Sequence, residues 1–155
     1  MPQRESLPGR EECLTMARSC LSASLRKTER LVTRHYDSYL ADAGVTAVQL
    51  PLLAIIAAAE EPTFRLLAEQ LELDRSTLSR NLSLLQRDGL LEIGPSSGPK
   101  PGRLSLTRKG RNALSRGHRR WKEAHRALID SLAEKDVSGG LGFLKKLRQR
   151  TRAQE

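Results

Sequence analysis

Aromatic side chains are scarce in this 155-residue chain, at 3% of its residues. Proteins that read RNA loops or single strands stack bases on such rings, so this scarcity disfavours that class of binder. Cysteine is scarce too: Cys13 and Cys20 are too few for a disulfide framework and indicate a reducing compartment. No apolar run approaches the length of a transmembrane helix, and the N-terminus lacks a signal-peptide core. We therefore expect a soluble cytoplasmic protein with no membrane partner.

Catalytic motifs are also missing from the sequence. It contains no Ser/His/Asp ordering, no phosphate-binding glycine loop and no paired carboxylates of the kind that mark an active site. His35, His118 and His125 lack the close spacing of a metal-ligand motif. We expect a protein that is not an enzyme and that binds neither a cofactor nor a metal.

Positive charge is what the chain has in excess, with 27 Lys and Arg against 18 Asp and Glu and a net charge of +9. Such an excess favours a polyanionic partner, most often nucleic acid. The length is that of a single domain, 1–155, which is large enough to bury a core without disulfides. Composition alone leaves open whether the basic surface binds DNA or is simply solvated.

Residues 62–107 carry the most informative pattern, reading PTFRLLAEQLELDRSTLSRNLSLLQRDGLLEIGPSSGPKPGRLSLT. Apolar periodicity, the potential N-cap Asp74 and the turn residues divide this stretch into elements. The predicted elements are helices over 64–71 and 75–89, strands over 90–93 and 103–106, and a turn over 95–102. This order is a helix-turn-helix followed by a β-wing, a shape that docks on duplex DNA.

The second of these helices has the two faces that a DNA-reading helix needs. Leu78, Leu82 and Leu85 form an apolar stripe that packs on the protein. Short hydroxyls allow close approach to the major groove, Arg pairs with guanine edges, and a helix N-terminus favours phosphate. We predict that the opposite face binds DNA through Arg75, Ser76, Thr77, Ser79, Arg80 and Asn81. The alternative is a surface helix whose polar face is merely solvated.

Long helical patterns flank this region. Apolar residues recur every three or four positions from about Glu11 to Ala41, which predicts one long helix, and again beyond Thr107. A last helix is predicted to start at Asp136 or Ser138. A long helix with an apolar stripe needs a second helix or a second subunit to cover it.

A nearly all-apolar helix is predicted between the first long helix and the helix-turn-helix. Thr46 is a plausible N-cap, and Gln49 follows three residues later in capping-box position. Because this helix is hydrophobic on almost every side, we expect it to form the central floor of the domain.

The segment LLAEQLELDRSTLSRNLSLLQRDGLLE, followed by LSLTRKGR, resembles the DNA-binding core of the multiple-antibiotic-resistance regulator (MarR) family. The segment LRKTERLVTRHYDSYLADAGVTAVQLPLLAIIA is similar to the family's dimerisation helix and second helix. The resemblance implies a mainly α fold with a small β-wing. Residues 46–106 would then form the winged helix-turn-helix, and 11–43 and 107–150 the dimerisation helices.

The same resemblance implies a function. Members of the family are homodimers that bind a pseudopalindromic operator on double-stranded DNA and regulate transcription, and we expect a repressor. The resemblance further implies that a small phenolic or other effector, or an oxidant, alters the affinity for DNA.

The wing departs from the family pattern. Relatives carry an Asp-x-Arg motif there, with Arg in the minor groove and Asp orienting it. The equivalent positions here are Gly98-Pro99-Lys100, with Arg103 just beyond. We predict that Lys100 or Arg103 contacts DNA, because a wing tip lies close to phosphates. The alternative is a plain flexible turn.

Cys13 and Cys20 are seven residues apart on the predicted first helix, about 10.5 Å along its axis. Bridged Cα atoms lie about 4.4–6.8 Å apart, so a bond between them within the helix is excluded. An intersubunit disulfide or a sulfenic-acid sensor stays open, and the resemblance permits it because some relatives sense peroxides through an N-terminal Cys. The ordinary alternative is burial in helix packing.

A second class of function also stays open. A winged helix can serve as a protein-interaction module without specific DNA binding, its basic face merely solubilising. The polar, Arg-bearing face over 75–81 argues against this alternative, because protein interfaces are enriched in aromatic residues.

Overall fold

The computed structural model describes residues 7–95 and 102–153. The elements in order are α1 (Arg10–Ser19), α2 (Leu21–Leu40), the 3₁₀ turn Ala41–Ala43, α3 (Gln49–Ala58), α4 (Phe64–Leu71), α5 (Arg75–Arg87), β1 (Leu91–Ile93), β2 (Leu104–Leu106), α6 (Arg108–Ile129) and α7 (Glu134–Arg152). The two strands pair antiparallel in one small sheet. The predicted mainly α fold with a winged helix-turn-helix is confirmed.

The chain divides into two compact units, Met1–His35 and Tyr36–Glu155. The described part of the first unit contains α1 and the beginning of α2, and none of its side chains is buried. Leu14 and Leu21 are 41% and 45% exposed. The apolar stripe predicted for this region is therefore only partly covered, with Leu25 and Val32 half-buried.

The N-terminal helix is not continuous, so the prediction of one helix from about Glu11 to Ala41 is wrong. α1 ends at Ser19, and Cys20 has extended backbone with φ −66° and ψ 109° before α2 begins. Periodicity could not reveal this break because the apolar spacing of three and four continues across it. Neither Pro nor Gly lies between residues 10 and 43, and nothing else in the local sequence explains the break.

The core of the second unit is built around α3, as its composition predicts. Leu52 and Leu53 are fully buried, and the helix contacts α4, α6 and β2. The reciprocal bonds of the predicted capping box are present: the Gln49 amide donates to Thr46 Oγ1 at 3.2 Å, and the Thr46 amide donates to Gln49 Oε1 at 3.1 Å. Regular helix starts at Gln49 with Val48 as its N-cap, so the prediction of Thr46 as the N-cap is wrong.

The start of α6 is locked to the base of the wing. Thr107 Oγ1 donates to the Gly89 carbonyl at 2.7 Å and accepts from the Gly110 amide at 2.9 Å. Lys109 Nζ donates to the Asp88 carbonyl at 2.7 Å. These bonds join α6 to the turn that ends α5, so the direction of α6 is tied to the helix-turn-helix.

The last helix begins earlier than predicted. α7 starts at Glu134, with Ala133 as its N-cap, rather than at Asp136 or Ser138. In the part of the chain that the structure describes, no helix combines the length and the apolarity needed to cross a membrane.

Candidate nucleic-acid interface

The helix-turn-helix is formed by α4, a tight turn and α5. Thr63 caps α4 by accepting from the Leu66 amide at 3.1 Å. Glu72 ends α4 in the left-handed region, with φ 52°, a conformation that a non-glycine residue adopts uncommonly. The chain therefore reverses within Glu72 to Asp74 and starts α5 directly.

Asp74 organises the first turn of α5. Its Oδ1 accepts from Ser76 Oγ at 2.6 Å and from the Thr77 amide at 2.8 Å, and its Oδ2 accepts from Thr77 Oγ1 at 2.7 Å. The Ser76 hydroxyl, followed by the Thr77 hydroxyl and amide, holds the pKa of this carboxyl far below its usual range. A negatively charged carboxylate, that of Asp74, thus lies at the N-terminus of α5.

This arrangement changes the chemistry expected of the two hydroxyls. Because Ser76 and Thr77 donate their protons to Asp74, their oxygens are left to accept hydrogen bonds, for example from base amino groups. The Thr77 amide is already occupied by Asp74. That amide is therefore not available to a phosphate at this end of α5.

The predicted reading face of α5 lies opposite its buried stripe. Leu78 and Leu85 are fully buried and Leu82 nearly so, which fixes the helix on the core. The other predicted residues lie on the outer side: Arg75, Ser76, Ser79 and Arg80 are exposed, and Thr77 and Asn81 are half-buried. Within residues 7–95 and 102–153, neither Arg75 nor Arg80 belongs to an ion pair.

The wing is anchored at its base. Leu91 pairs with Leu106, and Ile93 pairs with Leu104. Arg103 continues the return strand, its carbonyl accepting from the Gly94 amide at 2.9 Å, and its Nη2 donates to the Glu60 carbonyl at 3.3 Å. Arg103 is thus exposed but directed toward the α3–α4 connection. Lys100, the other predicted wing contact, lies outside the described residues.

Comparison with known proteins finds similarity in both sequence and fold. Residues 43–100 match the sequence model of the MarR family. The fold is similar to the M. tuberculosis transcriptional regulator MosR in complex with DNA, at 28% identity over 86% of this chain and 99% of that one, with a TM-score of 0.75. A mutant E. coli MarR complexed with operator DNA is 26% identical over 86% and 97% of the two chains, with a TM-score of 0.73.

The central part of this chain is thus similar to MarR-family regulators in sequence, and most of the chain is similar to them in fold. The transcriptional repressor CouR bound to p-coumaroyl-CoA shares the fold as well, at 22% identity over 86% of this chain and 94% of that one, with a TM-score of 0.75. A search among curated proteins found no match.

The two cysteines of the chain are both exposed, which contradicts burial in helix packing within the chain. Cys13 lies in α1, where its Sγ is 3.6 Å from the Pro8 carbonyl oxygen, and Cys20 lies at the break before α2. Because the helix breaks at Cys20, the separation expected for seven residues on one straight helix does not apply to the two cysteines. Across the described ranges, no group of three or more His, Cys, Asp or Glu side chains could hold a metal ion.

A charged cluster that sequence reasoning missed joins the 3₁₀ turn to α6. Arg120 Nε donates to both carboxylate oxygens of Asp42, at 3.1 and 3.0 Å, and its Nη1 donates to Glu123 Oε2 at 2.9 Å. The side-chain bond from Arg120 holds the pKa of Asp42 below its usual value. Asp42 and Arg120 are far apart in sequence, so no local pattern could indicate this pair.

Trp121 is 37% exposed on α6. Its ring stacks on His125 with centroids 5.0 Å apart, and His125 Nδ1 lies 2.9 Å from the Tyr36 hydroxyl. Burial raises the pKa of Tyr36. The surface that these rings form was not predicted from the sequence.

Proposed function

We propose that this chain is a homodimeric transcriptional regulator of the MarR family, acting as a repressor, that binds a pseudopalindromic operator through α5. The observation that carries the proposal is the outer face of α5. Arg75 and Arg80 project from a helix whose other side is fixed by fully buried leucines and whose start is capped by Asp74. A rigid helix with exposed Arg and hydroxyl groups near its N-terminus is what major-groove readout needs.

The relatives support the proposal. MosR and MarR, both structurally similar to this chain, were crystallised with DNA. The wing adds a sequence-independent contact: we propose that Arg103, and Lys100 with it, binds backbone phosphate. The bond from Arg103 to the Glu60 carbonyl is exposed and long, so a phosphate can replace it at small cost.

Homodimerisation is supported by apolar side chains that the single chain leaves uncovered near both ends. Leu14 and Leu21 are exposed in α1 and α2, and Leu141 and Phe143 are 64% and 51% exposed in α7. A second copy of the chain that packed against these side chains would remove their apolar surface from water. Two copies of α5 would then be presented to two half-sites of a palindrome.

We further propose that a small effector or an oxidant modulates DNA affinity. CouR was solved with p-coumaroyl-CoA and PcaV with its natural ligand, which supports a phenolic or other small effector for this chain. Exposure of Cys13 and Cys20 supports an oxidant acting through a thiol. The proposal involves binding only and no catalysis.

Selection of bound duplexes from random DNA tests the proposed function. We expect a palindromic consensus, bound by a dimer and released as salt increases, because phosphate contacts displace counterions. Measuring the affinity for the selected duplex again in the presence of phenolic compounds and of peroxide identifies which of them modulates DNA binding. Failure to enrich any duplex, together with capture of a specific protein partner, would favour the protein-interaction module instead.

A further inference from the structure

The C-terminal end of α7 lies beside the turn of the helix-turn-helix. Arg152 Nη2 is 2.6 Å from Glu72 Oε1, and Arg148 Nε is 3.9 Å from the same oxygen. Glu72 is the left-handed residue that ends α4, two positions before the cap of α5. Two arginines of α7 thus lie close to the Glu72 carboxylate, beside the N-terminal end of the proposed reading helix.

This end of α7 is strongly basic. From residue 145 to residue 152 the sequence reads KKLRQRTR, which contains five cationic side chains and no acidic one. Glu72 can neutralise only one of the two arginines that approach it, so positive charge remains beside the turn. Arg148 and Arg152 keep 55% and 61% of their side-chain surface exposed. The pair is therefore open to another anion.

The position of this charge points to DNA phosphate as that anion. In a helix-turn-helix the N-terminal residues of the second helix enter the major groove, so the preceding turn lies close to the rim of the groove. Phosphates line that rim, and a guanidinium binds phosphate through two parallel hydrogen bonds. An exposed ion pair such as Glu72–Arg152 contributes little to the free energy of folding. Replacing the carboxylate with a phosphate as the partner of Arg152 therefore costs little stability.

We propose that the last two turns of α7 bind the DNA backbone beside the groove that α5 enters, with Arg148 and Arg152 exchanging Glu72 for phosphates. The proposal rests on the proposed DNA-binding function and adds a contact outside the winged helix. Such a contact is independent of base sequence, so it strengthens binding to operator and to random duplex alike.

A double substitution of the two arginines tests the contact. For Arg148→Gln/Arg152→Gln, the slope of log affinity against log salt should fall in magnitude by about 0.9 for each phosphate that is no longer neutralised, or about 1.8 per bound protomer. That slope corresponds to roughly a 60-fold difference in affinity for each tenfold change in salt. The decrease in affinity should be equal for operator and for random duplex. An unchanged slope overturns the proposal.

A matched control removes the same charge elsewhere. Lys122 and Arg126 lie on α6, at least about 21 Å along the helix axis from its start at the wing. Lys122→Gln/Arg126→Gln should leave the slope within experimental error of wild type. An equal decrease in both double variants means that net charge alone was measured, and it overturns the specific contact.

Substitution of Glu72 separates phosphate binding from a purely structural clamp. Glu72→Gln removes the carboxylate but frees both arginines, so the phosphate contact predicts binding to random duplex at least as tight as that of wild type. A structural clamp predicts that Glu72→Gln weakens binding as much as the arginine double variant does, and this result overturns the proposal. Circular dichroism and light scattering of each variant verify fold and oligomeric state. If wild type binds no duplex at all, it is the proposed function itself that fails.

Discussion

The backbone of Gly110 in α6 lies directly against the carbonyl oxygen of Leu90, and an added Cβ at residue 110 would overlap that oxygen. A backbone carbonyl cannot move aside as a flexible side chain can. The first turn of α6 is therefore seated on the turn that precedes β1 only because residue 110 has no side chain. This contact ties α5, the wing and α6 into one arrangement.

We expect Gly110→Ala to destabilise the protein by about 1–3 kcal/mol or more, because the overlap forces α6 away from the wing. Thermal unfolding followed by circular dichroism measures the change. Gly139→Ala is the matched control, since nothing lies within 4 Å of the added Cβ in α7 and alanine favours a helix by up to about 1 kcal/mol. Equal melting temperatures for the two variants would contradict the close approach.

The cap of α5 predicts a pH-dependent contribution to stability. The folded pKa of Asp74 is lowered, so its stabilisation is present above the unfolded value of about 3.9 and is lost as pH falls toward the folded pKa. Asp74→Ala should therefore melt below wild type by a constant margin between about pH 5 and 8, a margin that narrows below about pH 4.

Asp74→Asn checks the origin of that margin. Asn retains a capping oxygen but cannot ionise, so its difference from wild type should be smaller than that of Asp74→Ala and should shrink in the same acid range. A margin that stays constant down to about pH 2 would show that the charge of Asp74 does not contribute. Melting curves over the pH series provide the measurement.

Arg80→Ala should weaken operator binding by about 1–3 kcal/mol, which is roughly 5- to 150-fold, while leaving the fold and the dimer unchanged. The reason is that Arg80 lies exposed on the face opposite the buried leucines and makes no ion pair within the described part of the chain. A gel-shift titration against the selected operator measures the change in affinity.

Arg87→Ala is the control for the same helix. Arg87 lies at the C-terminal end of α5 and pairs with Asp88 at 3.0 Å, away from the end that enters the groove. Operator affinity should change little in this variant. If Arg80→Ala binds as wild type does, α5 is not the reading helix.

Oxidation should affect DNA binding through the exposed thiols. We expect peroxide to lower the operator affinity of wild type, and Cys13→Ser/Cys20→Ser to bind equally well before and after treatment. Non-reducing electrophoresis distinguishes an intersubunit disulfide, which doubles the apparent mass, from a sulfenic acid, which does not. A lower affinity of the double Ser variant after peroxide would assign the oxidant effect to another residue.

Local signals were sufficient for the helix-turn-helix. The stripe of Leu78, Leu82 and Leu85 and the cap at Asp74 placed the start of α5 at its observed residue, although α5 ends at Arg87 rather than at residue 89. The turn residues around the wing placed β1 and β2 to within a residue. Such signals work because caps and periodicity act over three or four residues. The break at Cys20 shows the opposite case, since the apolar spacing runs through it unchanged.

The sequence predicted which residues form the candidate site, but it did not predict their hydrogen-bond partners. The sequence indicated Ser76 and Thr77 as polar residues on the outer face, yet it could not show that their hydroxyls donate to Asp74. It likewise indicated Arg103 as basic without showing its bond to the Glu60 carbonyl. These partners depend on which rotamers the surrounding structure allows.

The amino-acid sequence alone indicates the class of fold and which helix presents arginines opposite a leucine stripe, because these properties follow from short-range periodicity and capping. The MarR family is indicated separately, by the resemblance of whole segments to that family. The seating of α6 against Leu90, the Asp42–Arg120 pair and the approach of Arg152 to Glu72 follow from tertiary packing instead. Each of these joins residues that are far apart in the chain, and their distance is set by how buried helices pack rather than by any local spacing. The number of charged residues beside α5 could therefore be counted from the sequence, but their positions could be determined only from the folded chain.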